Sequence, residues 1–209
     1  MIRNIIFDIG GVLIDLDPQR TLQGFARLTT QPVGTFTDNE LLGGGDNRLI
    51  GQYMCGDVSD NDFFLALQHL CHTGVTVAQI KAVWNDMLLG IPPERIKMIK
   101  QLHQHGIRIA LLSNINEEHV RTTLRLFAEA GLEIGRDIDY AFFSNEMHLA
   151  KPDPAIYRET LRQTGFLPEQ TLYIDDLLPN IEAGAAFGLQ TLHATGNEWI
   201  APVKQATAL

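Results

Sequence analysis

Apolar and polar positions change period twice along the chain. Ile5-Ile6-Phe7 is a short run of apolar, strand-forming residues that stops at the carboxylate of Asp8, and Gly10-Gly11 then let the backbone turn tightly. From there the pattern turns helical. Apolar residues recur at helical spacing over 21–28, 38–42, 62–70 and 77–88, which predicts an insertion made of helices. Ser59-Asp60-Asn61-Asp62 ahead of Phe63-Phe64 resembles a capping box with Asp in place of the usual Glu. Gly90-Ile91-Pro92-Pro93 marks the end of that insertion, since Pro is tolerated in a helix's first turn.

Strand and helix patterns alternate afterwards. Strands are expected over 107–112, 141–143, 171–174 and 189–193, with helices over 94–105, 117–130, 155–163 and from 177 to about 187. Such alternation predicts an α/β fold: a parallel sheet flanked by helices and joined by right-handed crossovers. The core would comprise residues 1–14 and 90–209, and the helical insertion residues 15–89. The tail beyond Asn197 carries no clear period, and Trp199 is expected to pack on the core.

Composition narrows the function classes. The chain of 209 residues is long enough to bury a full core, and no apolar run approaches the ~20 residues of a membrane helix. The segment Met1-Ile2-Arg3-Asn4 runs straight into the first strand without a signal pattern, so a cytoplasmic location is expected. Cys55 and Cys71 are too few for a disulfide framework. A net charge of −9 without a Lys/Arg cluster argues against nucleic acid, so any phosphate must be held by a local device such as a divalent cation.

The chemistry is expected where the strands end. Parallel strands bring their carboxyl ends to one edge, so Asp8, Ser113, Asn114, Asp175 and Asp176 should converge, with Lys151 entering from a neighbouring loop. Each has an innocent reading as a helix cap or turn residue, but jointly these readings lose force. Three carboxylates at one edge repel unless a cation sits among them. An oxygen-rich set without ordered His or Cys points to Mg²⁺. Ser113, Asn114, Lys151 and backbone amides after Asp8 suit a phosphate, and Asp8 can then attack phosphorus in line. Other candidates are weaker. The stretch Gly43-Gly44-Gly45-Asp46-Asn47-Arg48 suits a ligand loop or a plain turn, and His69, Cys71 and His72 lack a second zinc-spaced pair.

Asp8-Ile9-Gly10-Gly11-Val12, Leu112-Ser113-Asn114, Lys151-Pro152-Asp153 and Asp175-Asp176 with Asn180 resemble, in order, the four motifs of the haloacid dehalogenase superfamily. The resemblance implies a Rossmann-like core with a helical C1 cap, Asp8 as nucleophile, and Ser113 and Lys151 on the phosphate. It also implies Mg²⁺ on Asp8 and Asp176, with Asp175 as a further acidic contact and Asn180 orienting Asp176 or Lys151. A small phosphorylated metabolite is the implied partner, with no nucleic acid or membrane involved and the chain a monomer or weak homodimer.

One position departs from the pattern. Phosphatases of this family usually carry a second Asp two residues after the nucleophile, where this chain has Gly10. A backbone carbonyl there can still bind Mg²⁺, but general acid-base help, typically worth about a hundredfold or more, is missing. This leaves three readings. The chain could be a phosphatase for esters whose oxygen leaves easily, such as sugar 1-phosphates, since its motifs also resemble the bacterial glucose-1-phosphate phosphatase branch. It could be a 2-haloacid dehalogenase, although such enzymes work without metal. It could also be a catalytically weak relative that binds a phosphorylated ligand.

Overall fold

The computed structural model describes residues 1–29 and 49–209; the expected helix over 38–42, the glycine run and Arg48 lie outside them. The central strand is β1 (Asn4–Phe7), buried on both faces as expected for a parallel sheet covered by helices. β4 (Arg108–Ser113) and β6 (Thr171–Asp175) flank it, and β5 (Tyr140–Phe143) and β7 (Gln190–His193) complete the order β5-β4-β1-β6-β7. All four pairings are parallel.

Alternation along each strand decides which layer each side chain joins. Ile5, Phe7, Ile109, Leu111, Leu172 and Ile174 point to one face, where they meet Met98, Ile99 and Leu102 of α5 (Pro93–Gln104) and Val120 and Phe127 of α6 (Glu117–Glu129). Ile6, Ala110, Leu112 and Tyr173 point to the other and meet Ile156 and Tyr157 of α8 (Pro154–Thr164) and Ile181 of α9 (Leu178–Ala186). The tail is a helix, α10 (Ile200–Thr207), and Trp199 just before it is fully buried against Phe7.

Between the first two core strands lie α1 (Pro18–Leu28), α2 (Leu49–Met54), α3 (Asp60–Gln68) and α4 (Val77–Asn85). They bury a cluster of their own around Phe25, Tyr53, Phe63, Phe64, Leu67 and Ile80. The full capping box sits on α4, where Thr76 and Gln79 cap each other reciprocally. At α3 only half of the expected box forms: Ser59 caps Asp62, and the Asp62 carboxylate binds the Ser59 hydroxyl rather than its backbone amide.

Besides α2 and a single 3-10 turn at Pro168–Gln170, three further short elements lie outside the expected pattern. β2 (Asp15–Leu16) and β3 (Leu88–Gly90) pair antiparallel, so the helix expected over 77–88 stops at Asn85. A third is α7 (Ser144–Met147). The apolar run Met87-Leu88-Leu89 reads equally well as helix or strand, and only its distant partner decides. No helix among the described residues is long and apolar enough to cross a membrane.

Candidate active site

Register places the chemistry. Phe7 pairs with Leu111 on one side and Ile174 on the other, so Asp8 and Asp175 emerge at the same level, with Ser113 and Asp176 one step farther out. Gly11 sits at φ +72°, and a Cβ there would lie 2.4 Å from Asp176 Oδ2. Its glycine is therefore required twice, by the backbone angle and by the carboxylate pressed against it. The Gly11 amide donates to the Ile14 carbonyl at 2.9 Å, so it closes the turn and is not among the amides that could cradle a phosphate.

Lys151 is the hub. Its buried ammonium lies 3.0 Å from Asp8 Oδ1 and 2.6 Å from Asp175 Oδ2. Burial would lower its pKa, but Asp8 and Asp175 outweigh that and raise it, so the ammonium stays charged. Asn114 explains its placement: the amide group donates to the Lys151 carbonyl and accepts from the Lys151 amide, both at 2.8 Å. Both ends of the Asn114 side chain thereby pin the lysine loop, and of its expected phosphate-donor capacity one Nδ2–H is left.

Asp175 is saturated in the same way. Oδ1 accepts from the Leu177 amide at 2.9 Å and from Asn180 Nδ2 at 3.0 Å, while Oδ2 accepts from Lys151 and from the Tyr173 hydroxyl. Burial alone would raise its pKa, but Lys151 and these donors hold it below the ordinary range. Asn180 thus orients Asp175 rather than Asp176, and its own carbonyl accepts from the Tyr157 hydroxyl at 3.0 Å. Tyr173 escaped the sequence reading, although its place two residues before Asp175 puts it on the same side of β6.

Asp8 and Asp176 are the under-served carboxylates. Burial pushes Asp8 up, and Asp175 adds to that. Asp8 Oδ1 is buried, and among the described residues the Lys151 ammonium at 3.0 Å is the group that serves it. Asp176 is pushed up to about 6 by burial first and then by Asp8 and Asp175. One oxygen from each of Asp8, Asp175 and Asp176 lies within 4.8 Å of the others. A hard divalent cation fits such a set, since it would relieve the excess negative charge that Lys151 alone does not offset. His69 and His72 are exposed and the Cys71 thiol donates to the Leu67 carbonyl at 3.3 Å, so that trio forms no metal group.

Ser113 is buried and lines a cavity of about 240 Å³ between the helical insertion and the strand ends. Gly10 lines it too. A Cβ on Gly10 would lie 2.9 Å from Leu16 Cδ1, so hydrocarbon stands where a second acid would begin. A larger groove of about 640 Å³ between β5 and α8 shares no residue with the carboxylates and lies apart from the site.

Comparison with known proteins agrees with this geometry. The chain is 26% identical over 201 residues to D-ribitol-5-phosphate phosphatase of Bacteroides thetaiotaomicron, covering 95% of each chain. It is 25% identical to phosphoglycolate phosphatase of Pseudomonas putida, covering 92% of this chain and 69% of that one. A HAD family enzyme of Bacteroides thetaiotaomicron solved with magnesium and inorganic phosphate superposes with a TM-score of 0.86 at 25% identity, over 97% of this chain and 99% of that one. Residues 2–188 match the haloacid dehalogenase-like hydrolase family model, and the chain belongs to that family.

Proposed function

We propose that this protein is a Mg²⁺-dependent phosphomonoester hydrolase that works through an aspartyl-phosphate on Asp8. The observation that carries this reading is the meeting of Asp8, Asp175 and Asp176 around Lys151 at one end of the sheet. Mg²⁺, when bound, would offset the charge of carboxylates and phosphate and polarise the phosphoryl group. Asp8 and Asp176 would hold it, with the Gly10 carbonyl a third oxygen. Asp175, its lone pairs filled by four donors, would fix Lys151 and lend the site its negative charge.

Lys151 and the Ser113 hydroxyl would hold the phosphoryl oxygens. Asp8 then attacks phosphorus: the carboxylate-to-phosphorus bond forms, and the ester bond breaks with its electron pair leaving on the alcohol oxygen. Water attacks the same phosphorus, phosphate departs and the Asp8 carboxylate is restored. With Gly10 and Leu16 where a second acid would stand, oxygens that leave without much protonation are favoured. The relatives' names point to small phosphorylated metabolites as the substrate class. Residues 15–89 would serve as a lid that closes over the ester and excludes water.

A metal-free dehalogenase would gain nothing from Asp176 beside Asp8, so that reading is set aside. The test is phosphate release from a panel of sugar phosphates, nucleotides and small phosphorylated metabolites. Release with Mg²⁺ that EDTA abolishes is expected; undiminished activity in EDTA, or loss of halide from 2-haloacids instead, would refute the proposal.

A further inference from the structure

If the protein is a phosphatase acting through Asp8, the cavity beneath the helical insertion constrains the alcohol half of its ester. Ile9, Gly10 and Ser113 form the cavity floor beside the nucleophile, and Met54, Trp84 and Leu88 are among its walls. No charged side chain lines it among the described residues. The titratable group there, His119, stays neutral because burial pulls its pKa down to about 4.

Most polar side-chain atoms in that wall are engaged with one another. Both ring nitrogens of His119 are engaged, Nε2 with the Trp84 carbonyl at 3.1 Å and Nδ1 with Asn116 Nδ2 at 3.2 Å. Asn116 Oδ1 accepts from the His119 amide at 3.0 Å, with the Trp84 indole N–H 3.4 Å away. Asn114 is engaged with Lys151. Thr123, buried at the back of the cavity, keeps an unpartnered hydroxyl and is the exception. Among the described residues, an incoming leaving group therefore meets mostly carbon, apart from Ser113 at the phosphate end and the Thr123 hydroxyl at the back.

A second observation lies outside the cavity. Leu177 and Leu178 directly follow the Asp175-Asp176 pair, and they are 55% and 52% exposed. The Leu177 amide is bonded to Asp175, so this apolar pair starts at the edge of the site. The cavity's volume of about 240 Å³ has room for a small ring or short chain.

We propose that the ester carries an uncharged, largely apolar alcohol, and that a second ionised group on the substrate is rejected; this proposal rests on the phosphatase reading. A carboxylate placed against this wall would lose its hydration and gain no charged partner in return. The experiment compares phenyl phosphate with carboxyphenyl phosphate, and cyclohexyl phosphate with a pentitol phosphate, in wild type with Mg²⁺. Phenyl phosphate should exceed carboxyphenyl phosphate in kcat/KM by about a hundredfold, and cyclohexyl phosphate should exceed the polyol ester.

In Met54→Lys the unbranched lysine stem follows the path of the methionine and brings a cation to the wall. It should narrow the first gap by about tenfold. Equal rates on the two aryl esters, preference for the pentitol phosphate, or equal slowing of both aryl esters by Met54→Lys would overturn the proposal. The wild-type ratios decide even where the variant does not fold. No release from any ester would remove the phosphatase reading and this inference with it, whereas turnover in the wrong order would remove the inference alone.

Discussion

At the scale of single residues, the site separates carboxylates that are finished from those that are waiting. Asp175 has four donors and a lowered pKa, whereas Asp176 has been pushed up to about 6 by burial and its two acidic neighbours. An unfolded chain would ionise Asp176 near its ordinary 3.8. Between those values the unfolded state loses its proton first, so the metal-free protein loses stability as pH rises from about 4 to 6. The cost is about 2 kcal/mol at most, after discounting for a half-exposed group. Mg²⁺ binds the ionised form, so its gain in Tm should be larger at about pH 7.5 than at about pH 5. Melting curves with and without Mg²⁺ check this, and Asp176→Asn should flatten the dependence. An equal gain at both pH values would contradict the assignment of Asp176 to the metal.

At the scale of elements, the helical insertion is tied to the helix that follows Ser113 and Asn114. The Glu118 amide, in the first turn of α6 where N–H groups lack helical partners, donates to the Tyr53 hydroxyl at 3.1 Å. Lys81 of α4 reaches Glu118 Oε2 at 2.9 Å and also binds Asp60 of α3. Arg121 of α6 closes the set with Asp60 at 2.9 Å and Glu118 at 2.6 Å. Gly56 adds steric closeness: at φ +75°, its missing Cβ would stand 2.0 Å from the Asn145 carbonyl of α7. These pairs are partly buried, so each contributes about 1 kcal/mol and salt screens them in part. Lys81→Met should therefore raise KM a few-fold and lower Tm by roughly 2–4 °C, with the salt dependence of KM reduced. Kinetics at low and high ionic strength provide the measurement, and a wild-type KM indifferent to salt would show that these pairs do not hold the insertion in place.

At the scale of the whole molecule, the fold was legible because periodicity and strand ends agree. Parallel topology leaves Asp8, Ser113 and Asp175 no choice but to meet, since each follows an apolar strand of the same sheet. What sequence could not convey was how each side chain spends its hydrogen bonds. Asn114 finds Lys151 across 37 positions, and Asn180 turns to Asp175 rather than Asp176, choices set by packing and not by spacing. The pairing of β2 with β3 was hidden for the same reason, because two very short strands far apart in the chain have no local signature. The apolar cavity likewise exists only once α2, α4 and β4 are brought together.

The covalent route is tested most directly by trapping the enzyme during turnover and reducing it with borohydride, which converts an aspartyl-phosphate to homoserine. Peptide mass spectrometry should find homoserine at position 8 in wild type incubated with Mg²⁺ and ester, and none in Asp8→Asn, which should also release no phosphate. Homoserine at another position, or phosphate release by Asp8→Asn near the wild-type rate, would contradict Asp8 as the nucleophile.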